Sequence, residues 1–227
     1  MNTLHLAGKD VLLVPAARPG APLALLLSDG EEGRRVFDEL RRRTGADFTF
    51  AAVCGFDWNG DLSPWPAPGL SKRDPPFAGR ADAFLETLTG GILPGIREAL
   101  PAAPAYCLLA GYSLAGLFAV WALYRTDAFA RAASASGSFW YPDFLSFARS
   151  TPLAGKPARI RLSLGDREAT ARHPLLRTVQ ANTEALAAHF RELGLDVSFR
   201  LNPGNHFQDP EARMAAEICA CLDEKNA

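Results

Sequence analysis

Three kinds of side chain that together can make a hydroxyl reactive stand in order along the chain: Ser113, then the neighbouring carboxylates Asp166 and Glu168, then His206. A serine hydroxyl is a poor nucleophile unless a base takes its proton during attack. Histidine is suited to be that base, and a carboxylate behind it fixes the tautomer and stabilises the imidazolium. The chemistry these residues predict is attack on a carbonyl carbon.

The local sequence around each of them decides how far that prediction holds. Ala105 to Tyr124 reads as a buried strand, a bend at Gly111-Tyr112-Ser113-Leu114-Ala115, and a buried helix. A Gly-x-Ser-x-small bend between strand and helix lifts the serine into a strained, exposed position. His206 lies in the turn after the last strand, whereas His5 is near the start, His173 precedes a proline and His189 falls inside a helix. His206 is therefore the expected base. Asp166 and Glu168 share one turn after the strand-ending Gly165. Glu168 has the longer reach and stands three positions after that glycine. Asp166 suits a bond to the turn backbone, and both remain candidates. The developing oxyanion needs backbone donors, expected from Leu114 and from Asp29 or Gly30 in an earlier loop.

These positions need a scaffold that brings four loops together. Val11 to Val14 and Leu23 to Leu27 are apolar runs, Phe48 to Val53 is another, and the strand before Ser113 follows. Continuous apolar runs suit strands buried on both faces of a mostly parallel sheet. Arg131 to Ser136, Arg159 to Leu164 and Val197 to Leu201 complete the set, with Arg159 to Leu164 expected near an edge because it alternates. Helical spacing marks Glu31 to Arg43, Asp82 to Leu100 with a kink at Gly90-Gly91 and Pro94, and Leu175 to Leu193. A last helix is expected to start at Asp209 as cap, with Pro210 in its first position. Strands alternating with helices predict one α/β domain over 1–227, with helices on both faces of the sheet and no large lid. Candidate reactive groups then gather at the carboxyl ends of strands. Asp57 to Gly79 is an irregular stretch, and Trp58, Trp65, Tyr112, Trp140 and Tyr141 are candidate walls of a substrate cleft.

With 227 residues, the chain can bury a substantial core. A formal net charge of -1 and a pI near 6.4 give no case for a nucleic-acid or anionic-membrane partner. Arg41-Arg42-Arg43 is read as a solvated helix end. No run approaches the roughly 18 apolar residues of a membrane span, and Met1 to Asp10 lacks an export pattern, so a cytoplasmic protein is expected. Cys54, Cys107, Cys219 and Cys221 are read as free thiols, with Cys219 and Cys221 too differently directed on a helix to chelate together. No Gly-x-Gly-x-x-Gly follows the first strand, so no dinucleotide site is expected.

Taken together, Asp61-Leu62-Ser63-Pro64-Trp65, Gly111 to Leu117, Ser136-Gly137-Ser138-Phe139-Trp140, Gly165 to Glu168 and Gly204-Asn205-His206-Phe207 resemble the α/β-hydrolase putative esterase family. That family includes enterochelin (siderophore) esterase-like hydrolases and, more distantly, esterase D. The resemblance implies a hydrolase that needs neither cofactor nor metal and acts on a small-molecule carboxylic ester, with Ser113 as nucleophile and His206 as base. It departs from the family in carrying Ala115 where glycine is common. The same nucleophile would equally serve an acyltransferase or a thioesterase, and a non-catalytic binding protein of this fold is the alternative outside enzymes. The sequence leaves the oligomeric state open.

Overall fold

The run Cys107–Tyr112 sends alternate side chains to opposite sides: Cys107 and Leu109 join one apolar cluster, while Leu108, Ala110 and Tyr112 join another. A strand can be apolar throughout only when both faces of its sheet are covered. The computed structural model describes residues 2–223 and builds that arrangement. Its strands are β1 (Asn2–Leu6), β2 (Lys9–Val14), β3 (Leu23–Leu27), β4 (Thr49–Cys54), β5 (Pro66–Ala67), β6 (Phe77–Ala78), β7 (Cys107–Tyr112), β8 (Arg131–Ala135), β9 (Arg159–Gly165) and β10 (Val197–Asn202). Eight of them form one sheet in the order β1-β2-β4-β3-β7-β8-β9-β10, and β5 pairs with β6 outside it. From β4 to β10 every neighbour is parallel; β1 and β2 are antiparallel additions at one edge.

The helices are α1 (Gly30–Arg43), α2 (Trp58–Asp61), α3 (Ala81–Thr87), α4 (Leu93–Glu98), α5 (Leu114–Ala122), α6 (Phe144–Ser150), α7 (Val179–Glu192) and α8 (Pro210–Leu222). Val36 and Leu40 of α1 and Met214 and Ile218 of α8 fill one face. α3, α4, α5, α6 and α7 supply the other, with Phe118, Trp121 and Phe190 among the largest buried side chains. This is the α/β-hydrolase architecture expected from the sequence. The kink expected between 82 and 100 is a π-helical turn, Leu88–Ile92, joining α3 to α4.

One expectation, the Asp209 cap, needs correction, and two features stood outside the sequence reading. β9 lies second from the edge, beside β10, in keeping with its alternation. Its alternation comes from Arg159 and Arg161, whose guanidinium groups bond Asp196 at 2.8 Å while their stems lie buried. Asp209 stands at the start of α8, but its side chain makes no capping bond because its backbone is left-handed, with φ 53. The hairpin β1–β2 was not foreseen, because Ala7 turns it at φ 48 and alanine is no signal for a left-handed turn position. No described helix is long and apolar enough to cross a membrane.

Closest packing occurs where β7 meets α5. A Cβ at Gly111 would collide with the backbone of Ala115, and one at Gly116 would lie 2.6 Å from Ser134 Oγ and 2.9 Å from Gly111 O. With Gly111 bare, the methyl of Ala115 fits, which accounts for its tolerance there. Gly111→Ala is expected to destabilise the protein by about 1–3 kcal/mol through overpacking. For a chain of this size that lowers the melting temperature by about 3–10 °C. An unchanged melting temperature in differential scanning calorimetry would refute this packing account.

Candidate active site

Ser113 occupies the bend between β7 and α5 with φ 56 and ψ -120, a region that a non-glycine residue enters only under constraint. The constraint is visible on both sides. Ser113 N donates to Ala135 O at 3.1 Å, and its carbonyl accepts from Ser138 N at 3.0 Å and Leu117 N at 3.1 Å. The bend turns the side chain toward His206, whose Nε2 lies 3.0 Å from Ser113 Oγ. On the far side of the ring, His206 Nδ1 lies 2.8 Å from Glu168 Oε2. Of the two acid candidates, Glu168 is thus the one the structure brings to the histidine. Asp166 accepts from Gly204 N at 2.8 Å and braces the turn that carries His206.

Glu168 is only 7% exposed, so its carboxylate must find donors inside the protein. Oε1 accepts from Gly165 N at 2.6 Å and from Ser136 Oγ at 2.7 Å, and Arg213 Nη1 stands 3.4 Å away. Burial alone would raise its pKa. The bond from His206, the Gly165 amide, the charge of His206 and the Ser136 hydroxyl together outweigh burial and leave it below the ordinary 4.5.

Tyr112, expected as a cleft wall, also acts from behind: its hydroxyl donates to His206 O at 2.7 Å and receives Arg213 Nη1 at 3.4 Å. Arg213 Nη2 donates to Pro203 O at 2.7 Å. This buried arginine therefore touches the acid, the tyrosine and the histidine turn together. Sequence reasoning missed both Arg213 and Ser136 as supports. The only signal for Arg213 was a basic residue on the apolar face of a helix, beside Met214, Glu217 and Ile218. Ser136 was quoted within a motif, but its left-handed backbone at φ 50, which aims the hydroxyl, is not written in residue types. Ser138 is a further missed neighbour, with its hydroxyl 3.4 Å from that of Ser113.

Leu114 opens α5, Asp29 caps α1 by accepting from Glu32 N at 2.6 Å, and Gly30 is the first residue of α1. First-turn amides have no acceptor within their own helix, which leaves such donors available to a ligand. Two clefts meet at Ser113 and His206. One, of about 470 Å³, is bounded by Trp140, Glu168, Leu176 and Val179. The other, of about 410 Å³, is bounded by Asp29, Glu32, Trp58, Tyr112 and Glu211. Burial, with Asp29 and Glu211 nearby, pushes Glu32 up to about 7, with Arg35 partly offsetting this. Trp140 borders the first cleft, and Trp58 and Tyr112 border the second. Trp65 and Tyr141 border neither: the indole donates to Pro142 O, the phenol donates to Trp65 O at 2.6 Å, and their rings pack edge to face. Among the described residues no group of three or more His, Cys, Asp or Glu gathers as a metal site, and the four cysteines are free thiols.

The family model described as "Putative esterase" matches residues 24–206, a span that contains Ser113, Glu168 and His206. A curated relative, the uncharacterized protein YbbA of Bacillus subtilis, is 28% identical over 154 residues, covering 64% of this chain and 62% of that one. The chain thus matches less than two thirds of that relative's length. Among solved structures, an IroE-like serine hydrolase from Shewanella oneidensis superposes with TM-score 0.75 at 16% identity, covering 92% of this chain and 74% of that chain. The siderophore hydrolase EstB from Aspergillus nidulans superposes with TM-score 0.74 at 20% identity, covering 96% and 91%. At these identities the superpositions establish the shared fold.

A lowered acid pKa has a consequence for stability. Because the folded pKa of Glu168 lies below its ordinary 4.5, its charged form stabilises the fold above that value. The contribution is lost as pH falls through the folded pKa. Wild type is expected to melt above Glu168→Gln at neutral pH, with the gap closing under increasing acidity. A gap that stayed constant from neutrality to well below 4.5 would contradict the assignment.

Proposed function

The chain belongs to the Putative esterase family, and on that premise we propose that it is a serine carboxylic ester hydrolase working through an acyl-enzyme on Ser113. The observation that carries this reading is the continuous line from Ser113 Oγ to His206 Nε2 at 3.0 Å and from His206 Nδ1 to Glu168 Oε2 at 2.8 Å. As Ser113 Oγ attacks the ester carbonyl, His206 Nε2 takes its proton, and Glu168 holds the ring with its Nδ1 proton toward the carboxylate. The carbonyl oxygen gathers negative charge, stabilised by the amide of Leu114 and an amide of the Asp29–Gly30 turn. The partial positive charge at the start of α5 acts in the same direction. Collapse of the tetrahedral species breaks the bond to the alcohol, which leaves with the proton from His206. Water then attacks the acyl-enzyme under the same base, releases the acid and restores Ser113.

No step draws on a cofactor. The siderophore hydrolase among the structural neighbours puts a siderophore ester in the substrate panel, beside simple alkyl and aryl esters. Small carboxylic esters are the proposed class.

With p-nitrophenyl butyrate as substrate, Ser113→Ala and His206→Ala are each expected to lower kcat by about 10⁴-fold or more. Glu168→Gln should cost less, about 10²–10⁴-fold, because the base survives without its orienting partner. Wild-type turnover in Ser113→Ala, with a circular dichroism spectrum matching wild type, would overturn the proposal.

A further inference from the structure

The two clefts that meet at Ser113 differ in chemistry. The larger one is walled by Leu70, Trp140, Leu176 and Val179, with Arg167, Thr170 and Asn205 on its polar side. Its volume of about 470 Å³ falls within the range of about 300–1,000 Å³ common for small-molecule pockets. The other holds Asp29, Glu32, Arg35 and Glu211, with Arg35 Nε only 2.6 Å from Glu211 Oε1. An apolar group seated there would strip water from several charges without replacing it. Seated against Leu70, Trp140, Leu176 and Val179 of the larger cleft, the same group would exchange water for hydrocarbon and aromatic surface.

Phe207 stands between them. It follows His206 directly, borders both clefts and is 86% exposed. Its ring centre lies 5.2 Å from that of His206 with the planes at 87°, and its amide donates to Asn205 Oδ1 at 2.9 Å. Its backbone is therefore held while its apolar ring faces solvent. A lone exposed hydrophobic needs no explanation. One that is anchored beside the proposed base, at the junction of the two clefts, does.

Resting on the esterase reading above, we infer that the substrate is a two-armed ester whose larger arm is apolar, an aryl or medium-chain alkyl group. That arm lies in the cleft between Trp140 and α7, with Phe207 closing over it as a specificity-determining wall. The polar or smaller arm is left to the charged side.

The test measures kcat/KM for two ester series, p-nitrophenyl acetate to octanoate and methyl to hexyl acetates. Each buried methylene is expected to raise kcat/KM by up to about fourfold. At least one series should therefore rise by about tenfold or more from its shortest member to its six-carbon member. Phe207→Ala and Leu176→Glu, the second placing a charge on a half-buried wall position, should each lower that long-to-short ratio by about fivefold or more. Two flat series would overturn the inference. So would a rise that both variants leave intact while Trp58→Ala or Glu211→Gln lowers it, because the arm would then occupy the charged side. Labelling of Ser113 by a fluorophosphonate separates the two levels. Flat series with Ser113 labelled remove this inference and leave the esterase reading standing, whereas an unlabelled Ser113 removes both.

Discussion

A carboxylate withdrawn from water is stable only if donors surround it, and the buried Glu168 makes that demand at the centre of this molecule. The demand is met from four parts of the chain. Gly165 at the end of β9 and Ser136 at the end of β8 bond one oxygen, His206 beyond β10 bonds the other, and Arg213 of α8 approaches from below. Because each donor belongs to a different element, the carboxylate fixes the carboxyl end of the sheet as one unit. Arg213 extends this through Tyr112 to the carbonyl of His206 and through a second bond to Pro203. The polar network that satisfies the acid is therefore the same one that aims the histidine.

A second constraint answers this one from the other side. Gly111 and Gly116 let α5 approach β7 more closely than any side chain would allow, and the tight bend leaves Ser113 at φ 56. A backbone conformation of this kind costs about 1–3 kcal/mol and persists only when its surroundings dictate it. Here Ala135, Ser138 and Leu117 hold the peptide groups on either side. Rigid packing sets the hydroxyl, a hydrogen-bonded network sets the imidazole, and the two meet at 3.0 Å.

Much of this was legible in residue types. The apolar strands, the bend at Gly111 to Ala115, and His206 and the Asp166–Glu168 pair at later strand ends all follow from periodicity and turn chemistry, and the parallel order follows from their alternation with helices. What was not legible depends on direction in space. Trp65 and Tyr141 carry the same composition signal as Trp58 and Trp140, yet the Tyr141 phenol donates to the Trp65 carbonyl and the Trp65 indole to the Pro142 carbonyl, away from the clefts. The alternation of Arg159 and Arg161 placed β9 near the edge, but sequence cannot show that Asp196 waits for both guanidinium groups. Arg213 was invisible for the same reason: its partners come from positions 112, 136, 168 and 203, which only the folded sheet brings together.

The hydroxyl held by this network is proposed to form a covalent bond with the acyl group of an ester. Rapid mixing of the protein with excess p-nitrophenyl ester, an acid quench and peptide mass mapping tests it directly. A burst of about one p-nitrophenol per chain and an acyl group on the peptide at Ser113 are expected. No burst and no adduct, or an acyl group found instead on a thiol such as Cys54, would contradict it.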